Sequence, residues 1–192
     1  MLGVLLHPLG RFTGALQNDL RTAERRERGL VLVLPGIEGL SFVNQSIARG
    51  LADGGFEGAI EIHDWTTGVI LLLLYHLRGW RRNLRQVDRL VRRIVEYRQA
   101  YPGRPVYVVG HSGGGAMTVL TLERLPPEAS VTGAVLLEPS ISRTYDLSTA
   151  LARTSRGVWS FYSWLDFFFE GIATSLAGTT EDRKSTRLNS SH

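Results

Sequence analysis

Short apolar runs alternate with stretches of helical periodicity along most of this chain, and that alternation constrains the fold more than any other feature. Leu30–Leu34 (LVLVL) is a continuous apolar run bounded by Gly29 and Pro35. A strand apolar at every position must be covered on both faces, as happens in a parallel sheet. Residues 42–52 then read as a helix with Phe42, Ile47 and Leu51 inward, closed by Asp53-Gly54-Gly55. Residues 59–62 read as a second strand. Residues 83–100 form the clearest helical pattern: Leu84, Val87, Val91, Ile94 and Val95 recur at helical spacing, with arginines on the other face. Tyr101-Pro102-Gly103 ends it. Strands at 106–109, 131–137 and 158–162 follow, with helices at 114–125 and 146–153 between them. Strands alternating with helices predict an α/β fold, a mostly parallel sheet with helices on both faces. Sites on such sheets form at the carboxyl ends of the strands, here the loops after Leu34, Val109, Leu137 and Tyr162.

The 192 residues suit one domain with a sizeable core. There is no cysteine, which excludes disulfides and cysteine-based metal sites. The longest apolar run, residues 69–75, falls well short of the roughly 20 residues a membrane span needs. Residues 1–9 are apolar but have no basic residue ahead of them and no clear cleavage site, so they are not read as a signal peptide. The compartment is left open. Residues 1–29 read as an extension, polar and arginine-rich after Leu9, and residues 30–181 as the core.

Residues 182–192, DRKSTRLNSSH, read as the translation of a common sequencing adapter. The chain's only lysine, Lys184, lies here, whereas every basic residue before it is arginine or histidine. This tail is set aside from the fold, and the natural protein is expected to continue beyond Glu181. Without the tail the net charge falls from +4 to +2. Nucleic-acid binding then has no support in composition.

The strongest motif lies in one of the carboxyl-end loops. Gly110-His111-Ser112-Gly113-Gly114 fits G-x-S-x-G, between an apolar strand (VYVV) and a helix (AMTVLTLERL). A serine at a sharp strand–turn–helix junction projects its hydroxyl above the sheet, and the flanking glycines let strand and helix approach closely. The helix amino end adds backbone N–H groups and a positive dipole where an oxyanion would form. Glycine-rich turns of this kind also bind phosphates, but this one lacks both the GK[ST] of a P-loop and the G-x-G-x-x-G spacing.

On these residues, the segment from Gly29 to about Gly178 resembles the α/β-hydrolase family, in particular its compact lipase- or esterase-like members. The resemblance implies that Ser112 is the nucleophile and that acid and histidine follow it in that order. It also implies an oxyanion donor from a loop after an earlier strand. Pro35-Gly36-Ile37-Glu38-Gly39 resembles the family's HGxxG, with proline in place of the histidine. By match of position, the backbone N–H groups of Ile37 and Gly113 would form the oxyanion hole.

The acid must hold the histidine in the correct tautomer and stabilise its cation. Asp166, after VWSFY and a short turn, fits the family position. Glu138, directly after VLL, is the runner-up, because some members carry the acid one strand earlier. Asp146 comes third and reads better as a helix start. The histidines ahead of the tail, His7, His63, His76 and His111, all precede Ser112. His111 is the variable residue of the motif and should point away from the serine hydroxyl. The family histidine is therefore expected in a missing carboxyl-terminal part, leaving the sheet incomplete there and this chain weak or inactive.

The resemblance implies an ester hydrolase working through an acyl-serine, with no cofactor, no metal, and a small ester or lipid-like substrate. An acyltransferase would use the same residues. A non-catalytic interaction protein on the same fold is the alternative from another class. The apolar segments 69–77 and 164–169 read first as core and second as walls of an acyl pocket. Oligomeric state is open.

Overall fold

The computed structural model describes residues 18–66 and 80–162. In chain order its elements are α1 (Ala23–Arg26), β1 (Leu30–Leu34), α2 (Phe42–Asp53), β2 (Ala59–Ile62), α3 (Trp80–Ala100), β3 (Val106–His111), α4 (Gly113–Arg124), β4 (Gly133–Leu137), α5 (Ser148–Leu151) and β5 (Val158–Phe161). The strands lie in the order β2-β1-β3-β4-β5, and every neighbouring pair is parallel. The described sheet is thus parallel throughout, with helices on both faces, as the alternation of strands and helices predicts.

The continuous apolar run of β1 has a direct use. Leu30, Leu32 and Leu34 join a core that includes Val87, Leu90 and Ile94 of α3 and Met117, Val119 and Leu122 of α4. Val31 and Val33 point the opposite way, onto Ala48 of α2 and Leu20. Successive strand residues alternate faces, so a central strand covered on both sides must be apolar throughout.

Two helices bury faces that apolar spacing alone did not single out. In α2 the buried residues are Asn44, Gln45 and Ala48, while Phe42 is exposed at 53%. Ile47 and Leu51 pack against the α2-side core as partly buried residues. In α3 the buried row runs Asn83, Val87, Leu90, Ile94 and Tyr97. Val91 and Val95 only flank it. The row includes two polar-tipped residues, which a purely apolar count passes over; Tyr97 satisfies its hydroxyl by donating to the Arg26 carbonyl at 2.6 Å.

Strand ends also differ from the sequence-based boundaries. β3 runs on to His111 because Gly110 and His111 still pair with Leu136 and Leu137. β4 starts at Gly133, and Val131 contributes only an isolated bridge to Thr154. The helix expected at 146–153 is confined to Ser148–Leu151, preceded by Asp146, which accepts the Ser148 N–H at 2.9 Å. Among the described residues no helix is long and apolar enough to cross a membrane.

Candidate active site

Ser112 lies where β3 hands over to α4 at the carboxyl edge of the sheet. Its backbone angles, φ 51° and ψ −119°, belong to a region that side-chain-bearing residues rarely adopt. The surrounding hydrogen bonds hold it there. Its N–H donates to the Leu137 carbonyl at 2.9 Å, and its own carbonyl accepts from Gly115 at 2.9 Å and Ser140 at 3.1 Å. Its half-buried hydroxyl lies 3.3 Å from the Ser140 hydroxyl.

The flanking glycines are required by contact. A Cβ at Gly110 would overlap the Gly114 carbonyl and the Thr118 hydroxyl. A Cβ at Gly114 would overlap the Leu34 carbonyl oxygen. The first turn of α4 is thus pressed onto both its own strand and the end of β1, so no side chain fits at either position.

That packing brings the loop after β1 against the turn. A Cβ built on Gly113 would stand 3.4 Å from Ile37 Cγ2 and 3.3 Å from Trp65 Cζ2. Trp65 is 2% exposed and donates its indole N–H to the Pro35 carbonyl at 2.6 Å. Among the described residues neither the Ile37 nor the Gly113 backbone N–H meets an acceptor. Two amides on adjoining segments beside one serine can receive a developing oxyanion.

A buried polar cluster backs this loop. Glu38 is 9% exposed. Its Oε1 accepts from the Gly36 N–H at 3.2 Å and Asn44 Nδ2 at 3.0 Å, and faces His111 Nδ1 at 3.3 Å. Burial works to raise the Glu38 pKa, but the hydrogen bond and charge of His111 and the other donors outweigh it and hold the carboxyl below its ordinary value. His111 therefore engages Glu38, on the residue before the serine.

Glu138 follows β4 directly. It is half-buried, has φ 50°, and donates its N–H to the Phe161 carbonyl at 2.8 Å. His111 pairs with Leu137 in the sheet, so Ser112 and Glu138 occupy neighbouring strand ends. Phe161 also pairs with Leu137, so β5 ends at the same edge. Asp166 lies outside the described residues, as do His7, His76, His192 and the apolar segments 69–77 and 164–169.

His63 follows β2 and lines a cavity of about 410 Å³ with Arg21, Glu61, Asp64, Arg89 and Arg93. This cavity lies at the β2 edge, separated from β3 by β1. Sequence reasoning did not single out Trp65, Asn44, Ser140 or the side chain of Glu38. A signal existed for two of them: Trp65 follows a strand's carboxyl end, and Glu38 is an acid inside a glycine loop. Asn44 and Ser140 gave none, because only folding brings them to the site.

Comparisons with known proteins agree with this architecture. A family model described as alpha/beta hydrolase fold matches residues 64–192. Among solved structures the chain is similar to Trichoderma reesei cutinase in complex with a C11Y4 phosphonate inhibitor. The TM-score is 0.55 at 12% identity, covering 84% of this chain and 73% of that one. No curated protein matches the sequence.

Proposed function

The chain belongs to the α/β-hydrolase fold family, and from that premise we propose that it is a serine hydrolase of carboxylic esters. The observation that carries the reading is the strained backbone of Ser112 beside the Ile37 and Gly113 amides, which have no partner among the described residues. Holding a serine at φ 51° costs on the order of 1–3 kcal/mol. The likeness in fold to a cutinase solved with a phosphonate inhibitor is in keeping with this reading.

In this reading Ser112 Oγ attacks the ester carbonyl while a histidine takes its proton. The carbonyl oxygen gathers negative charge and accepts from the Ile37 and Gly113 N–H groups. The tetrahedral intermediate expels the alcohol, protonated by the same histidine. Water then attacks the acyl-serine and releases the acid. We assign the acid to Asp166, with Glu138 second, and the histidine to a position beyond Glu181 in the natural chain. The apolar segments at 69–77 and 164–169 are the proposed source of walls for an uncharged acyl group.

The test compares two chains on one short activated ester, with folding checked by circular dichroism. The chain carrying its natural continuation should be active, and Ser112→Ala in it should abolish turnover by at least about 10³-fold. The chain ending at Glu181 should be slower by about 10² to 10⁴, the usual worth of a general base. Equal rates from both folded chains would place the base among the histidines before Ser112. Turnover that survives Ser112→Ala would reject the serine mechanism.

A further inference from the structure

We propose that Glu38 and His111 are a pair of positioning residues that tie the 35–39 loop to the turn bearing Ser112 and so set where the Ile37 amide points. The proposal rests on the serine-hydrolase reading above and adds to it two residues outside the triad and the oxyanion hole.

The placement of the pair carries the argument. Glu38 is the residue after Ile37, and His111 is the residue before Ser112. Their contact, His111 Nδ1 to Glu38 Oε1 at 3.3 Å, therefore spans the same gap as the one between proposed donor and proposed nucleophile. A change in this contact moves the Ile37 N–H relative to Ser112.

Other hydrogen bonds tie the loop elsewhere: Trp65 donates its indole N–H to the Pro35 carbonyl at 2.6 Å, and the Leu40 N–H donates to Asp64 at 3.3 Å. Glu38 Oε1 also gathers the Gly36 N–H at 3.2 Å and Asn44 Nδ2 at 3.0 Å, and Asn44 Nδ2 further reaches the Gly39 carbonyl at 3.0 Å and Ser41 Oγ at 2.8 Å. These bonds shape the loop and join it to α2. They do not reach β3. The bond from His111 does. A carboxylate this buried needs every donor it has, because an unpaired buried charge is costly. Removing His111 alone therefore leaves a buried carboxylate short of a donor.

An oxyanion donor acts on the transition state and much less on the bound ester, so its misplacement lowers kcat and leaves KM nearly unchanged. That split separates positioning from loss of substrate binding or of fold. The imidazole offers a further control. Asparagine at 111 carries its amide nitrogen near the place of Nδ1, whereas glutamine carries it near the place of Nε2.

The experiment uses the chain with its natural continuation and reads ester hydrolysis together with hydrogen exchange at the Gly39 amide, which donates to the Gly36 carbonyl at 3.1 Å within the loop. His111→Ala and Glu38→Ala should each lower kcat about 10- to 100-fold, with KM within about twofold. Both should speed exchange at the Gly39 amide, whose bond to the Gly36 carbonyl closes the loop. His111→Asn should recover to within about threefold of the parent kcat, and His111→Gln should not. The double alanine variant should be no slower than Glu38→Ala alone, since that change already removes the contact His111→Ala breaks. Unchanged exchange at Gly39 in His111→Ala would overturn the tether whatever the activity. So would a loss carried on KM, or equal rates for His111→Asn and His111→Gln. Hydrolysis that survives Ser112→Ala would instead reject the serine reading, an outcome separate from the exchange result.

Discussion

At the scale of single residues, the site trades backbone comfort for geometry. Ser112 keeps φ 51° although it carries a Cβ, and Glu138 on the neighbouring strand end keeps φ 50°. Such conformations persist only when the surroundings over-determine them. For Ser112 those surroundings are the Leu137 carbonyl, the Gly115 and Ser140 N–H groups, and the tight seat of Gly114 on β1. The strain gives a prediction that separates backbone from side chain. Ser112→Gly removes the Cβ and should raise stability by about 0.5–2 kcal/mol, the relief less the added entropy of the unfolded chain. Ser112→Ala keeps the Cβ and should leave stability within about 0.5 kcal/mol. Urea unfolding of both variants reads the difference. A glycine variant no more stable than the alanine one would show that the turn is not strained.

At the scale of elements, the junction of β2 with α3 holds a pH-sensitive group. His63 directly follows β2 and is half-buried beside α3, with Nε2 unpartnered among the described residues. Burial lowers its pKa below the ordinary 6.5, against the opposing pull of the Asp64 charge and a Gln86 hydrogen bond. The unfolded chain therefore takes up this proton first on acidification. Stability from neutral His63 is fully present above pH 6.5 and declines as pH falls below it. Glu38 and Glu61, both held below 4.5, lose their contributions only at lower pH, where their carboxylates protonate. The window from pH 7 to 5 thus isolates His63 from them. His63→Gln should flatten the fall in Tm across that window. A slope identical to that of the parent chain would show that His63 does not carry it. Glu61 itself is clamped by Arg93 from α3, through Nε at 2.9 Å and Nη2 at 2.5 Å, so the same helix is fixed to β2 by a bidentate pair.

At the scale of the whole molecule, β1 is the keystone, since it pairs with β2 on one side and β3 on the other and packs both faces. Leu32 is 1% exposed at its centre. Leu32→Ala should cost about 2–5 kcal/mol, the transfer term plus a cavity that a paired central strand cannot collapse around. Leu151, 45% exposed on α5, should lose less than about 1 kcal/mol on the same change. Denaturant midpoints at equal slope report both values. Similar losses at the two positions would deny β1 its central place.

The order of strands and helices was legible in the amino acids themselves. LVLVL cannot be stable with one face in water, and G-x-S-x-G between an apolar strand and a helix admits few geometries, so the α/β class and the position of Ser112 followed from local pattern. Helix faces followed less well. Phe42 looked inward by spacing, yet the face that α2 buries carries Asn44, whose amide is consumed by a carboxylate six residues earlier. The partnership of Glu38 with His111, 73 positions apart, was not legible at all. Neither residue's neighbours in sequence announce it. It exists because β1 and β3 lie side by side and Gly114 lets their carboxyl ends close up. Periodicity reports which face of one segment avoids water. Which polar groups then meet inside is decided only when the sheet assembles, because buried charges select their partners by contact across the fold.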